Sequence, residues 1–256
     1  MTELGTDKFP ILYEDNHIIV VVKPQGLASC ADRNKDSKDN NALDNIKAYL
    51  KKTYNKPGNV YTALIHRLDQ PTGGVMVFAK TEKAAGRLSE QLRSNSHDDT
   101  ENFNCDEDGF EKRYLAVLVG ELQQKEGKLE NYLKKNPANN MVYICPQGVD
   151  GAKRARLEYR TESVAEGLSL VEIKLRTGRS HQIRVQMAGQ SHPVYGDMRY
   201  GGAQAKKGKL ALFAYSLSFT HPVTKERMRF VAEPPVTEAP WSFFDDSALI
   251  KRACGQ

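Results

Sequence analysis

The amino-acid sequence predicts an α+β domain built around a long, mixed and mainly antiparallel sheet. β-prone runs greatly outnumber segments with helical periodicity, and short turns join most neighbouring runs, as in hairpins. No internal repeat and no linker divides the chain. The 256 residues suffice to bury a sizeable core, so we expect a single domain over residues 1–256.

The N-terminal part predicts a hairpin and two helices. The β-branched run IIVVV follows a polar turn and is ended by Pro24 and Gly26, as expected of a hairpin strand. Apolar residues then recur at helical spacing in two segments, the second of which Thr81 caps. The predicted elements are a strand pair around the 14–17 turn, a helix at 42–52, β-runs at 61–65 and 75–79, and a helix whose apolar stripe is Ala85, Leu88 and Leu92.

The C-terminal part predicts further strands after an acidic segment. Residues 94–111 contain seven acidic residues, no Lys or Arg and little apolar content, so we interpret them as an acidic surface insertion. The run that ends at Leu175 alternates cleanly, with Val171, Ile173 and Leu175 on one face. The predicted elements are strands at 114–119, 141–145, 156–161, 169–175, 210–219 and 227–232, and a short helix at 181–188.

Composition and charge favour a nucleic-acid partner without requiring one. The chain is 39% hydrophobic and 27% charged, and no apolar run approaches the roughly 18 residues of a membrane span, so we expect no membrane association. The N-terminus lacks the patterns of secretory and transit peptides, which favours a cytoplasmic location. Setting the acidic segment aside raises the formal net charge from +5 to +12, as a polyanion-binding protein would show.

The cysteines argue against a metal centre or a disulfide framework. Cys30, Cys105, Cys145 and Cys254 lie far apart, without a C-x-x-C pair or a nearby His at ligand spacing. We therefore predict free thiols. The sequence also has no Gly-rich dinucleotide turn, so we expect neither a metal nor an organic cofactor.

Three turn-rich segments combine acidic, basic and aromatic residues. In HRLDQPTGG, Asp69 leaves a β-run and enters a turn, where an Asp often only caps local N–H groups. In EKRYLAVL, Tyr114 opens a strand, which is also a common packing position. In RTGRSHQIRVQM, a Thr-Gly turn enters a short helix with Arg179, His181 and Arg184, which form either a solvated face or a site for phosphate or carboxylate.

Together these segments resemble the RluA-type pseudouridine synthases, and the resemblance covers nearly the whole chain. HRLDQPTGG is similar to the family motif H-R-L-D-x-x-T-S-G, EKRYLAVL to K-x-Y-x-A, and RTGRSHQIRVQMA to T-G-R-x-H-Q-I-R-V-H-M. Supporting matches lie in ILYEDNHIIVVVKPQGL, SHPVYGDMRYGG and LALFAYSLSFTHPVT. Six matches in the right order are far more specific than one short string. The match starts near residue 1, so the S4-type RNA-binding domain of many relatives is not expected.

The resemblance implies an enzyme that isomerises uridine to pseudouridine in structured RNA, ribosomal or transfer, without a cofactor. By resemblance Asp69 is the catalytic carboxylate, Arg184 is its ion-pair partner, and Tyr114 stacks on the target uracil. Arg67 then matches an Arg that enters the RNA stack when the nucleotide is flipped out. Arg179 and His181 fit contacts to the RNA backbone. We expect the enzyme to act as a monomer.

Two departures from the family pattern lie inside motifs, and two other functions remain open. A Gly stands where the first motif has its Ser. Gln186 stands where the family has the His of V-H-M. The first alternative is an RNA-binding protein that keeps the fold without catalysis, which a large distance between Asp69 and Arg184 would favour. The second is a nucleoside glycosylase, which would release free uracil. The identity of the RNA and of the modified uridine is not encoded in any of these motifs.

Overall fold

Twelve strands form one continuous sheet in a computed structural model that describes residues 5–6, 9–31, 40–94 and 109–244. The strand order is β1-β2-β3-β5-β11-β6-β10-β9-β7-β8, with β4 paired to β5 and β12 to β11. The strands are β1 Gly5–Thr6, β2 Phe9–Glu14, β3 Ile18–Lys23, β4 Ala63–Leu64, β5 Gly73–Ala79, β6 Glu111–Val119, β7 Glu126–Lys135, β8 Val142–Cys145, β9 Lys153–Ala165, β10 Leu168–Leu175, β11 Leu212–Thr220 and β12 Arg227–Val231.

The sheet is mixed and mainly antiparallel, which confirms the predicted α+β class. Among the described residues the parallel pairing joins β5 to β11, at Gly73↔Phe213 and Gly74↔Ala214. The remaining strand pairings are antiparallel: β10 pairs with both β6 and β9, and β7 pairs with both β9 and β8. The central parallel contact matters for the site, because it brings the chain that precedes β5 against the middle of the sheet.

Three α-helices accompany the sheet: α1 Ala42–Thr53, α2 Glu82–Ser94 and α3 Gln182–Gly189. The side chain of Asn41 caps α1 by accepting from the Asp44 N–H at 3.0 Å, and Thr81 Oγ1 accepts from the Ala84 N–H at 3.3 Å, as the sequence predicts for Thr81. None of the helices among the described residues is long and apolar enough to cross a membrane.

Strand β6 shows why both faces of the sheet are covered. Tyr114, Ala116 and Leu118 join the core that also contains α1 and α3, whereas Leu115 and Val117 join the core on the other face. That second core is closed by Trp241 and Phe244 near the C-terminal end of the described residues. Burial on both faces explains why the strand is a continuous apolar run.

Two sequence predictions fall partly or wholly on residues outside the described ranges. The acidic insertion at 94–111 is described only at its two ends. Cys30 and Cys145 are free thiols, as expected, whereas Cys105 and Cys254 lie outside the described residues. Two strands, β1 and β7, have no counterpart among the predicted elements.

Candidate active site

The turn that carries Asp69 is hydrogen-bonded to the segment that follows β3. Ser29 Oγ donates to the Leu68 carbonyl at 2.7 Å and accepts from the Leu68 N–H at 3.1 Å. On the other side of Asp69, the Gly26 N–H donates to the Gln70 carbonyl at 2.9 Å. The residues before and after Asp69 are therefore both tied to the same neighbouring loop, which fixes the direction of the carboxylate.

Lys23 and Gly74 complete the support of this turn. Lys23 is fully buried, and its Nζ donates to three carbonyls, those of Pro24 at 2.9 Å, Leu27 at 2.7 Å and Gln70 at 3.4 Å. Gly74 has φ +127°, and a Cβ there would lie 2.2 Å from the Ala214 carbonyl oxygen. Only glycine therefore allows the turn to enter β5 so close to β11.

Asp69 lies close to two nitrogen atoms, one on α3 and one on the residue that precedes α3. Arg184 Nη1 lies 3.6 Å from Asp69 Oδ2, and His181 Nε2 lies 3.9 Å from the same oxygen. The Asp69 side chain is 28% exposed, whereas that of Arg184 is 8% exposed. The ion pair expected between Asp69 and Arg184 is thus present, and its carboxylate is partly exposed.

The strongest bonds of Arg184 go to a different carboxylate, that of Asp197. Arg184 Nε and Nη2 donate to Asp197 Oδ2 and Oδ1 at 2.7 and 2.8 Å. The Asp197 side chain has no exposed surface, and its Oδ1 also accepts from the N–H groups of Arg199 and Tyr200 at 3.0 and 3.1 Å. Arg184 thus pairs with Asp69 as expected, but its bidentate partner is Asp197.

Electrostatics keeps this arginine charged. Burial alone would lower the pKa of Arg184, but the hydrogen bonds and charge of Asp197, with the charge of Asp69, raise it above its ordinary value. Burial alone would likewise raise the pKa of Asp197, and its bonds to Arg184 hold it below the usual range. Arg184 is therefore a fixed cation between two carboxylates.

Tyr114 lies in the same region, on the face of β6 that looks toward α3. Its side chain is buried with 7% exposure, and burial, with a smaller contribution from the charge of Asp69, raises its pKa well above the ordinary value. Tyr114 therefore keeps its phenolic proton throughout the neutral range. A flat, uncharged ring beside a carboxylate is suited to contact a nucleobase.

The three residues predicted to bind RNA occupy different positions. Arg67 is exposed, two residues before Asp69. Arg179 lies in the turn before α3, and its Nε donates to the Arg154 carbonyl at 2.8 Å, which directs it toward β9. His181 lies close to the Asp69 carboxylate, with Nε2 3.9 Å from Oδ2.

Four residues beside the site were not singled out by the sequence: Lys23, Lys112, Asp197 and Tyr200. The matched segments KPQGL, EKRY and YGDMRY contain them, but nothing in those segments indicates which side chain turns inward. Burial, with a smaller contribution from the charge of Arg179, lowers the pKa of Lys112 to about 8. Within the described ranges, no group of His, Cys, Asp and Glu could hold a metal ion.

Comparison with known proteins gives this site a context. The family model described as RNA pseudouridylate synthase matches residues 17–189. The chain is 33% identical over 226 residues to the uncharacterized RNA pseudouridine synthase YhcT of Bacillus subtilis, covering 88% of this chain and 68% of that protein. It is 32% identical over 240 residues to ribosomal large subunit pseudouridine synthase C of Escherichia coli K12, covering 89% and 66%.

Solved structures agree on the fold. Human RNA pseudouridylate synthase domain containing 4 matches with a TM-score of 0.69 at 22% identity, covering 88% of each chain. Human RNA pseudouridylate synthase domain containing 1 also gives a TM-score of 0.69, at 21% identity, covering 100% of this chain and 98% of the other. The motifs around Asp69, Tyr114 and Arg184 all lie within the matched residues. This chain therefore belongs to the RNA pseudouridine synthase family, whose members are isomerases that convert uridine to pseudouridine in RNA.

Proposed function

We propose that this protein modifies uridine in large-subunit ribosomal RNA and that Asp69 is its catalytic carboxylate. The observation that carries the proposal is the contact between Asp69 and Arg184 at the rim of a buried cluster. A carboxylate in a pocket that excludes water is costly to keep ionised unless a cation or hydrogen bonds compensate it. Arg184 provides that compensation. The ribosomal substrate is supported by the names of the relatives from Escherichia coli and Xanthomonas campestris.

The reaction asks little of the protein beyond a carboxylate and a shaped pocket. The C1′–N1 bond breaks, the uracil turns, C5 bonds to C1′, N1 gains a proton and the C5 proton is lost. Substrate and product are isomers, so the step needs no oxidant and no group donor. Asp69 supports it by attacking the base, attacking C1′ or removing a ribose proton, each of which requires the ionised carboxylate.

The residues around Asp69 fit the handling of a flipped nucleotide. A uridine within a folded RNA must leave its stack before a pocket residue can reach it. Tyr114 offers the ring on which the uracil stacks, a contact worth about 1–3 kcal/mol per base. Arg67, exposed next to the catalytic turn, fills the place that the base leaves. Arg179 contributes positive charge toward the RNA backbone.

Tritium release tests the proposal, because replacing the C5 hydrogen sets free the label of [5-³H]uridine. Transcripts of large-subunit ribosomal RNA and of transfer RNA are incubated with the protein, with the Asp69→Asn variant, and with Asp150→Asn, which changes an exposed Asp far along the chain. We expect release from the ribosomal transcript by the first and third proteins. Asp69→Asn should be at least about 10³-fold slower while binding the RNA within a few-fold.

Three other results would change the proposal. Comparable turnover by Asp69→Asn would remove Asp69 from the chemistry. Release from transfer RNA alone would keep the catalytic role and replace the substrate class. Free uracil in place of pseudouridine would indicate a glycosylase.

A further inference from the structure

A chain of polar groups leads from β8 to the Asp69 carboxylate through Tyr200 and His181. The Val142 N–H donates to Tyr200 Oη at 3.0 Å. Tyr200 Oη lies 2.6 Å from His181 Nδ1. His181 Nε2 then lies 3.9 Å from Asp69 Oδ2. These contacts therefore connect the Val142 N–H, which can only donate, to the carboxylate that is proposed to react.

The direction of the hydrogen bonds follows from the first of these groups. A backbone N–H can only donate, so Tyr200 Oη accepts from Val142 and has its own proton to give. A phenol O–H is more acidic than the N–H of a neutral imidazole and is therefore the better donor. In the short bond between them, the Tyr200 hydroxyl donates to the imidazole. Burial raises the pKa of Tyr200 and lowers that of His181, which favours these neutral forms. His181 Nδ1 is thus the acceptor, and the imidazole proton is on Nε2.

We propose that Tyr200 and His181 are positioning residues that hold Asp69 by fixing His181 as the neutral tautomer with its N–H directed at Oδ2. This inference rests on the proposed role of Asp69. Arg184 Nη1 and His181 Nε2 both face Oδ2, while Oδ1 has no hydrogen bond or ion pair with any residue that the structure describes. One oxygen is held and the other is left for the nucleotide. We expect the 3.6 and 3.9 Å distances to shorten when RNA binds.

The backbone of His181 gives independent support. His181 precedes α3 with φ 52° and ψ 20°, in the left-handed region, and its side chain makes no capping hydrogen bond to the helix. A non-glycine residue is strained there, and such strain concentrates at functional sites. A glycine or a helix-capping residue would suit the position better if the helix alone mattered. The imidazole is instead turned away from the helix end, toward Tyr200 and Asp69.

The tautomer can be measured directly, without any RNA. Long-range ¹⁵N–¹H correlation spectra of the full chain labelled at histidine distinguish a protonated from an unprotonated ring nitrogen, and the His181→Gln spectrum assigns the signal. We expect His181 to be neutral at pH 7.5 with Nδ1 unprotonated, and Tyr200→Phe to shift it toward the other tautomer. A proton on Nδ1, or an imidazolium, in the unaltered protein would overturn the proposal.

The rate of tritium release supplies a second test, in which His181→Gln should restore activity that His181→Ala loses. Gln at 181 presents an amide N–H in place of Nε2–H and has no tautomer to be fixed. We expect Tyr200→Phe to lower kcat for tritium release about tenfold with little change in KM, His181→Ala to lower it further, and His181→Gln to recover most of that loss. In the His181→Gln background, Tyr200→Phe should cost less than about twofold. The phenyl ring still lies over Arg184, whose Cζ is 5.1 Å from the ring centroid, so that contact is kept as a control.

Comparing Tyr200→Phe in the unaltered protein and in His181→Gln separates the proposed positioning role of Tyr200 from a purely structural one. An equal loss from Tyr200→Phe in both backgrounds, or no loss in either, would contradict it. An unaltered protein that releases no tritium from the ribosomal transcript would contradict the proposed substrate instead. The tautomer measurement would then still decide this inference, because it uses no substrate.

Discussion

The buried pair of Arg184 and Asp197 yields the sharpest prediction about this site. Replacing Asp197 with Asn keeps the shape of the side chain and an oxygen for the N–H groups of Arg199 and Tyr200. It removes the negative charge, so the 3.6 Å contact to Asp69 becomes the remaining ion pair of Arg184, which is 8% exposed. Removing one partner of a buried pair typically costs about 3–5 kcal/mol, because the remaining charge is buried without compensation.

Unfolding in urea, followed by fluorescence, measures this cost. We expect Asp197→Asn to lower the free energy of unfolding by about 3–5 kcal/mol, which corresponds to about 10 °C in Tm for a chain of this size. The companion variants are Arg184→Met and the double variant that carries both changes. The double variant buries no unpaired charge, so it should be more stable than Asp197→Asn and should show a coupling energy of about 2–3 kcal/mol.

Activity and stability should separate in this series. The double variant lacks the cation beside Asp69, so it should remain inactive in the tritium assay even though its stability partly recovers. A cost below about 1 kcal/mol for Asp197→Asn would show that the pair is not truly desolvated. Strict additivity of the two single changes would show that the two side chains do not interact, and either result would refute the reasoning.

Three other positions give further tests. His66 is buried, its Nε2 accepts from the Val77 N–H, and burial, with a smaller effect of Lys112, lowers its pKa to about 3. In the unfolded chain the pKa of a His is near 6.5, so the free energy of unfolding falls by about 1.4 kcal/mol per pH unit as the pH drops from 6.5 toward 3. Urea titrations at several pH values should show a weaker pH dependence of this free energy in His66→Gln. Lys23→Met orphans three carbonyls and should cost about 2–4 kcal/mol in urea unfolding, with slower tritium release. Gly196→Ala, with φ +77° and a Cβ 2.2 Å from the Lys209 carbonyl oxygen, should lower Tm much more than the control Gly202→Ala, whose Cβ meets nothing within 4 Å.

The elements with a strong hydrophobic period were predictable from the sequence. The helix expected at 42–52 is Ala42–Thr53, and the run expected at 169–175 is Leu168–Leu175, with Val171 and Ile173 on the predicted core face. Strand β7, Glu126–Lys135, was missed because only Leu133 is buried in it, so its sequence carries almost no apolar alternation. Its register is set by pairing with β8 and β9, which no local pattern specifies.

Part of the site was likewise predictable from the sequence, and part was not. The residues proposed to do chemistry lie in short motifs, so the sequence could single out Asp69, Tyr114 and Arg184 as candidates. Their supports could not, because these depend on which distant loop lies beside the turn. Ser29 and Leu68 are 39 residues apart, and Val142 and Tyr200 are 58 apart. Only the sheet, which places these loops along one face, brings them together.

The sharing of Arg184 between two carboxylates has a chemical consequence for Asp69. A bidentate, charge-assisted pair is the strongest arrangement available to an arginine, and a carboxylate held in that way has both oxygens engaged. Here Asp197, which has no exposed surface, takes that arrangement, and Asp69 is left with a longer contact from Nη1 alone. Arg184 is thereby fixed in place by a residue that cannot reach the substrate. Its Nη1 compensates the charge of Asp69 at Oδ2 and leaves Oδ1 open, as the proposed mechanism requires. Asp197 thus orients the cation, and Asp69 is the carboxylate whose charge the cation compensates.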